Sequence, residues 1–256
     1  MGNTLHVLAL FCASRPALLL PHIEVLSHFL KHEHATKAVQ HTCEMLPKLL
    51  RILDHPPRML LTNLETYLAA LVFRVPESLL QHAVPALCMT ITASCNSSLL
   101  ISILAKFHKY LERFEACVRR ALAAAAAPGG IGTTDLAEGA LSEPVLELAK
   151  SERLSVPSVY RAMLCVGMLC RHYDFEPHAQ PAPAAGGGSV LVRGDVHAKV
   201  HRILLSLARV GLPHQTVLYA YKGLGQLCVR SPDLLVSCHS LFVTAAATLD
   251  LGEIYL

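Results

Sequence analysis

The chain has 256 residues and a formal charge of only +3, with 53% hydrophobic residues, 5% aromatics, no tryptophan and 14 glycines. A Leu- and Ala-rich composition this poor in aromatics favours helix over sheet. Nine cysteines without a CxxC pair exclude a disulfide framework and read as small core residues of a reducing compartment.

A mean hydropathy of +0.43 raises the question of a membrane. The longest uncharged run, Val84 to Ala105, is long enough to span one. Thr92, Ser94, Asn96, Ser97 and Ser98 break it at the centre, so it reads as two buried helices meeting at a turn. The start of the chain has no secretory pattern, and His6 stands where a myristoylation motif needs Ser or Thr.

In chain order, Leu5 to Cys12 is an apolar stretch without a cap, which suggests a chain that begins inside a larger architecture. Pro21 is expected to start a short helix with Ile23, Leu26, Phe29 and Leu30 on one face. Thr36 caps the next, which runs to about Asp54 with a kink at Pro47, and His55-Pro56-Pro57 stops it. Helices follow over Arg58 to Phe73 and from Pro76 onward. Ser97 or Ser98 then caps the longest helix, with Leu100, Ile103, Leu104, Phe107, Leu111, Phe114 and Val118 at helical spacing. A short acidic helix spans Pro144 to Arg153. Ser155 and Pro157 open a helix apolar around almost its whole circumference, the pattern of an element enclosed by others. In the last third, Asp195 caps a helix closed by Gly211, and Pro213 and Pro232 each begin another, the latter burying Leu234, Leu235, Cys238, Leu241 and Phe242.

Short turns between helices of about four turns require antiparallel neighbours. The fold class expected is all-α, an α-solenoid of irregular HEAT-type antiparallel helix pairs. Composition divides it into helical repeats over 1–122, an Ala/Gly-rich linker over 123–141, a repeat with a buried central helix over 142–176, a disordered Pro/Ala/Gly linker over 177–194, and repeats over 195–256.

Chemistry is sparse. His28, His32 and His34 cluster, but Thr36 replaces the second His of a zincin-like motif, so they read as surface histidines, as do His197 and His201. Cys165, Cys170 and His172 lack a zinc spacing. Gly223-Leu224-Gly225 reads as close helix packing, since no strand precedes it. With no nucleophile elbow, P-loop or paired carboxylates, the expectation is a protein that is not an enzyme and has no cofactor, no metal and no small-molecule substrate. What remains is charge. Lys106, Lys109, Arg113 and Arg120 fall at offsets of three, seven and fourteen, on one outer helix face. Lys199, Arg202 and Arg209 lie in a second stretch almost free of acids. Clustered cations of this kind suit DNA phosphates or acidic partners. Without interleaved exposed aromatics they do not suggest base stacking.

The segment Leu169-Cys170-Arg171-His172-Tyr173-Asp174-Phe175-Glu176 resembles the LCRHFDFD stretch of the Nipped-B-like family, the HEAT-repeat subunit of the cohesin loader. Leu61-Thr62-Asn63-Leu64-Glu65 through Gln81-His82-Ala83-Val84, and Ala220-Tyr221-Lys222-Gly223-Leu224-Gly225 through Arg230-Ser231-Pro232, resemble further family blocks in the same order. The resemblance implies part of the C-terminal half of a nuclear, chromatin-associated scaffold. Such a scaffold loads cohesin, grips double-stranded DNA against the cohesin ATPase heads, contacts the kleisin and serves sister chromatid cohesion. It implies no catalytic residues, and Arg171, His172, Tyr173, Asp174 and Phe175 would be a structural signature, with Phe175 plugging the core. The alternative is a generic α-solenoid adaptor for other proteins.

Overall fold

The computed structural model describes residues 2–31, 36–126, 141–175, 196–208 and 211–248. Among them the chain is all-helical, with eleven α-helices, one 3-10 helix and no strand. The order is α1 (Gly2–Ser14), a 3-10 helix (Pro16–His22), α2 (Ile23–Lys31), α3 (Thr36–Ile52), α4 (Arg58–Arg74), α5 (Glu77–Ser94), α6 (Ser97–Ala125), α7 (Ser142–Ser151), α8 (Val156–His172), α9 (Val196–Leu207), α10 (His214–Arg230) and α11 (Asp233–Thr248). None is long and apolar enough to cross a membrane. The chain divides into two compact units, 1–103 and 104–256, with the division inside α6.

In the first unit α1, α3 and α5 pack in succession, and α2 and α4 pack against each other beside them. His6 faces His41, and the Cys12 thiol meets the Met45 carbonyl, so α1 and α3 run in the same direction. Stacking parallel helices of successive repeats in two layers is the HEAT arrangement. Pro21 lies within the 3-10 helix and does not start α2, which begins at Ile23. The turn after α5 is built around Asn96, not Ser97 or Ser98. Cys95 takes a left-handed conformation (φ 56°), and the Asn96 amide donates to the Glu65 carboxylate at 2.9 Å. The Asn96 carbonyl accepts the Leu99 N–H, and its side-chain oxygen accepts the Ser98 hydroxyl. An asparagine that bonds both ways outcompetes a serine that bonds once.

The second unit repeats the plan. The helix predicted to be enclosed, α8, is: Val159, Ala162, Met163, Leu164, Cys165, Val166, Met168, Leu169 and Cys170 are all buried. Ser155 stands at its N-cap position but its hydroxyl makes no cap bond; Pro157 alone favours the start. α10 packs along α8. Tyr160 meets Tyr219, Gly167 meets Gly223, Arg171 meets Gln226 and Asp174 meets Arg230, so the two helices run parallel. α9 and α11 form the second layer, also parallel, with His197 bonded to Ser231 and His201 to Ser237. α7 starts and stops two residues earlier than the sequence suggests, and its entry is tied by the Leu141 N–H to the Gly211 carbonyl at 2.9 Å. Gly211, at φ 92°, needs its missing side chain there, but α9 ends at Leu207, so Gly211 is not its closing residue. Asp195, the expected cap of α9, lies outside the described residues. Leu235, expected on the buried face of α11, is 44% exposed, while Cys238 is fully buried.

Candidate nucleic-acid interface

The heptad-like spacing of α6 buries Phe107, Leu111, Phe114 and Val118 and leaves Lys106, Lys109, Arg113 and Arg120 exposed, as that pattern requires. The tertiary structure then divides these four. Arg113 donates to the Glu152 carbonyl at 2.8 Å, just past the end of α7, and Arg120 pairs with the Glu152 carboxylate. Both guanidiniums therefore hold the α7 terminus, where carbonyls need donors. Arg119, one position before Arg120, pairs with Glu115 at 3.0 Å.

Beside the basic face, α6 comes within electrostatic reach of α9. His108 sits between Lys106 and Lys109, half-buried, with Nδ1 at 3.2 Å from Glu112. Burial pushes its imidazole below the ordinary histidine pKa; Glu112 opposes this, while the charges of Lys199 and Arg202 on α9 reinforce it. Lys199 and Arg202 of α9 thus act on His108 at the α6 face that also carries Glu112 and Glu115, while Lys106 and Lys109 stand exposed on a neighbouring face. Arg202 is exposed and Lys199 half-buried. Arg209, placed with them by sequence, lies outside the described residues. An aromatic does interleave: Tyr110 is 37% exposed inside the α6 stripe. Sequence reasoning also missed Tyr160 on α8 and Tyr219 on α10, whose rings stack at 5.0 Å and 5°, with the Lys222 ammonium 5.3 Å from the Tyr219 centroid. Only the Tyr219–Lys222 spacing of three was visible beforehand.

The segment after α8 closes the parallel pair. Arg171 donates to Gln226 at 2.8 Å and Arg230 to Asp174 at 3.0 Å, both at the surface. Phe175 is 1% exposed, Tyr173 is also buried, and the two rings meet edge-on at 5.0 Å. His172 is half-buried, and burial together with Arg171 lowers its pKa. Glu176 lies outside the described residues.

The histidine pairs separate by environment. His28 is exposed, and 32–35 lie outside the described residues. His197 and His201 are not surface histidines. They are 9% and 8% exposed, enclosed between α9 and α11. His197 Nδ1 lies 2.9 Å from Ser231 Oγ, and its Nε2 has no partner among the described residues. His201 Nε2 lies 3.0 Å from Cys238 Sγ and 3.1 Å from Ser237 Oγ, and burial lowers its pKa. Burial raises the Cys238 thiol above its ordinary value, so this contact lacks an activated nucleophile. Among the described residues no three potential metal ligands converge.

Comparison with known proteins agrees with this architecture. No model of a protein family matches the chain. It is 23% identical over 237 residues to Nipped-B-like protein B of Danio rerio, an alignment covering 89% of this chain and 7% of that protein. Its fold superposes on the Chaetomium thermophilum cohesin loader SCC2, C-terminal fragment, with a TM-score of 0.66 and 17% identity, over 97% of this chain and 17% of that one. The chain therefore spans a small part of either relative. Helical pairs in two layers, the buried exit of α8 and an alignment along most of the sequence agree: this chain is distantly similar to a stretch of Nipped-B-like protein B and has the fold of the SCC2 C-terminal fragment.

Proposed function

We propose that the chain is a non-catalytic scaffold of cohesin-loader type. It promotes loading of cohesin onto chromatin, and so sister chromatid cohesion, by holding double-stranded DNA and cohesin together in the nucleus. The likeness to Nipped-B-like protein B and to SCC2 supports the class of partner. The observation that supports DNA contact is that Lys199 and Arg202 of α9 stand within electrostatic reach of α6, which exposes Lys106 and Lys109. Phosphate contact needs only such a cluster, and it makes affinity fall with salt. The signature Arg171 to Phe175 serves the α8–α10 packing, and Phe175 fills the core.

The test is DNA affinity against salt. Replacing Lys199 and Arg202 by Ala is expected to weaken duplex binding uniformly across sequences and to reduce the log–log salt slope by about two. An unchanged slope would refute DNA contact at this surface. The adaptor reading is favoured by one feature, the exposed apolar face of α1 at Val7 (49%), Leu10 (60%) and Phe11 (55%).

A further inference from the structure

We propose that the ridge along α8 and α10, beginning at Tyr160 and Tyr219, is a second surface that binds single-stranded nucleic acid by stacking a base on Tyr160. It is separate from the α6–α9 surface and differs from it in ligand, since a duplex presents phosphates but keeps its bases stacked inside.

Three observations support it. First, both tyrosines are only half-buried, and the two ring planes lie within 5° of each other. The aromatic pair in the core of the same unit, Tyr173 and Phe175, instead meets edge-on at 64°. Second, Lys222 lies over Tyr219. Tyr219 thus has two partners, Tyr160 and the ammonium, which leaves Tyr160 as the ring we assign to a base. Its orientation is fixed by Tyr219, unlike that of Tyr110, which stands without a ring partner among the described contacts. A pre-oriented ring loses less freedom on binding.

Third, the ridge is cationic along its length. Past Lys222 come Arg171 and Arg230, with Asp174 paired to the latter. From Tyr160 to Arg171 the helix rises about 16 Å. Arg171 and Arg230 are exposed, and the bonds to Gln226 and Asp174 each occupy one of several guanidinium donors, leaving capacity for phosphate. Cations beside an aromatic platform are the parts that single-strand binders combine. The sequence concealed this because the two tyrosines are 59 residues apart and meet only where α8 and α10 run parallel.

The experiment titrates the whole chain with fluorescein-labelled oligothymidylate and, separately, with a duplex of the same length, reading anisotropy. Tyr160→Leu is expected to weaken oligothymidylate binding about five- to a hundredfold and to leave duplex binding within about twofold. Tyr160→Phe, which keeps the ring, retains both. Lys199→Ala with Arg202→Ala shows the reverse pattern, so failure of the duplex reading and failure of this one are distinguishable. Should Tyr160→Leu unfold the helix pair, photocrosslinking of the unaltered chain to an iododeoxyuridine-substituted oligonucleotide decides. A crosslink in the Tyr160 peptide supports the proposal. Crosslinks confined to α6 or α9, no oligothymidylate binding at low salt, or equal loss of both ligands in a folded Tyr160→Leu chain overturns it.

Discussion

Gly167 and Gly223 let α8 and α10 approach until backbone meets backbone. A Cβ on Gly167 would fall on the Gly223 carbonyl oxygen, and one on Gly223 would come within 2.5 Å of the Met163 carbonyl oxygen. Neither can move aside as a flexible side chain does. Gly167→Ala or Gly223→Ala is therefore expected to lower stability by about 1–3 kcal/mol, read as a lower urea midpoint. Gly225, two residues on, has no atom within 4 Å of its Cβ position. Gly225→Ala is expected to be neutral or to gain up to about 1 kcal/mol from helix propensity. Equal losses at 223 and 225 would refute the close approach. A similar contrast divides the α8 exit. Phe175→Ala removes a ring that is 1% exposed and should lose about 3–5 kcal/mol. Asp174→Ala breaks an ion pair whose partners are 38% and 48% exposed, and should lose under about 1 kcal/mol.

Between elements, the α9–α11 contact is polar where sequence patterning suggests an apolar seam with histidines outside. His201 is held below its ordinary value of 6.5, chiefly by burial. The unfolded chain then binds the proton more tightly than the folded one, so this contribution is intact above about pH 6.5 and is lost as pH falls toward the folded value. The expected loss is at most about 1.4 kcal/mol per pH unit for one such group. His108 and His172, also lowered by burial, act in the same sense. Urea unfolding of the unaltered chain and His201→Gln between pH 7.5 and 5.5 checks this: the variant should show the shallower decline. The α6–α7 contact makes a different demand. Arg113→Ala removes the donor on the Glu152 carbonyl, and about 0.5–1.5 kcal/mol should be lost, seen as faster amide exchange at the end of α7. Amide exchange there that matched the unaltered chain would show the bond to be dispensable.

For the molecule as a whole, each compact unit has its own layers and its own buried polar contacts, and the candidate cations Lys106, Lys109, Lys199 and Arg202 belong to the second. This ranks the charges. Lys199 and Arg202 should dominate the salt dependence of duplex binding, while Arg113→Ala and Arg120→Ala should change the slope by less, since those guanidiniums already engage Glu152. Salt titrations of the two double variants compare them directly. A larger effect from the Arg pair would reverse the ranking.

The sequence by itself determined the helices and most of their buried faces. Spacing of Leu, Val and Phe along α6 and the all-round apolar pattern of α8 follow from local geometry, because a side chain's face on a helix depends only on its position along the chain. It also carried the family likeness, through the residues around Arg171 to Phe175. Tertiary structure decided what those faces do. Arg113 and Arg120 fit a cationic stripe by spacing, yet Glu152 turns them into props for α7. His197 and His201 read as surface groups until α11 covers them. Tyr160 and Tyr219 become a pair only because α8 and α10 run parallel across a glycine contact. In each case the deciding partner lies more than 30 residues away, and periodicity holds no record of which distant helix will pack there.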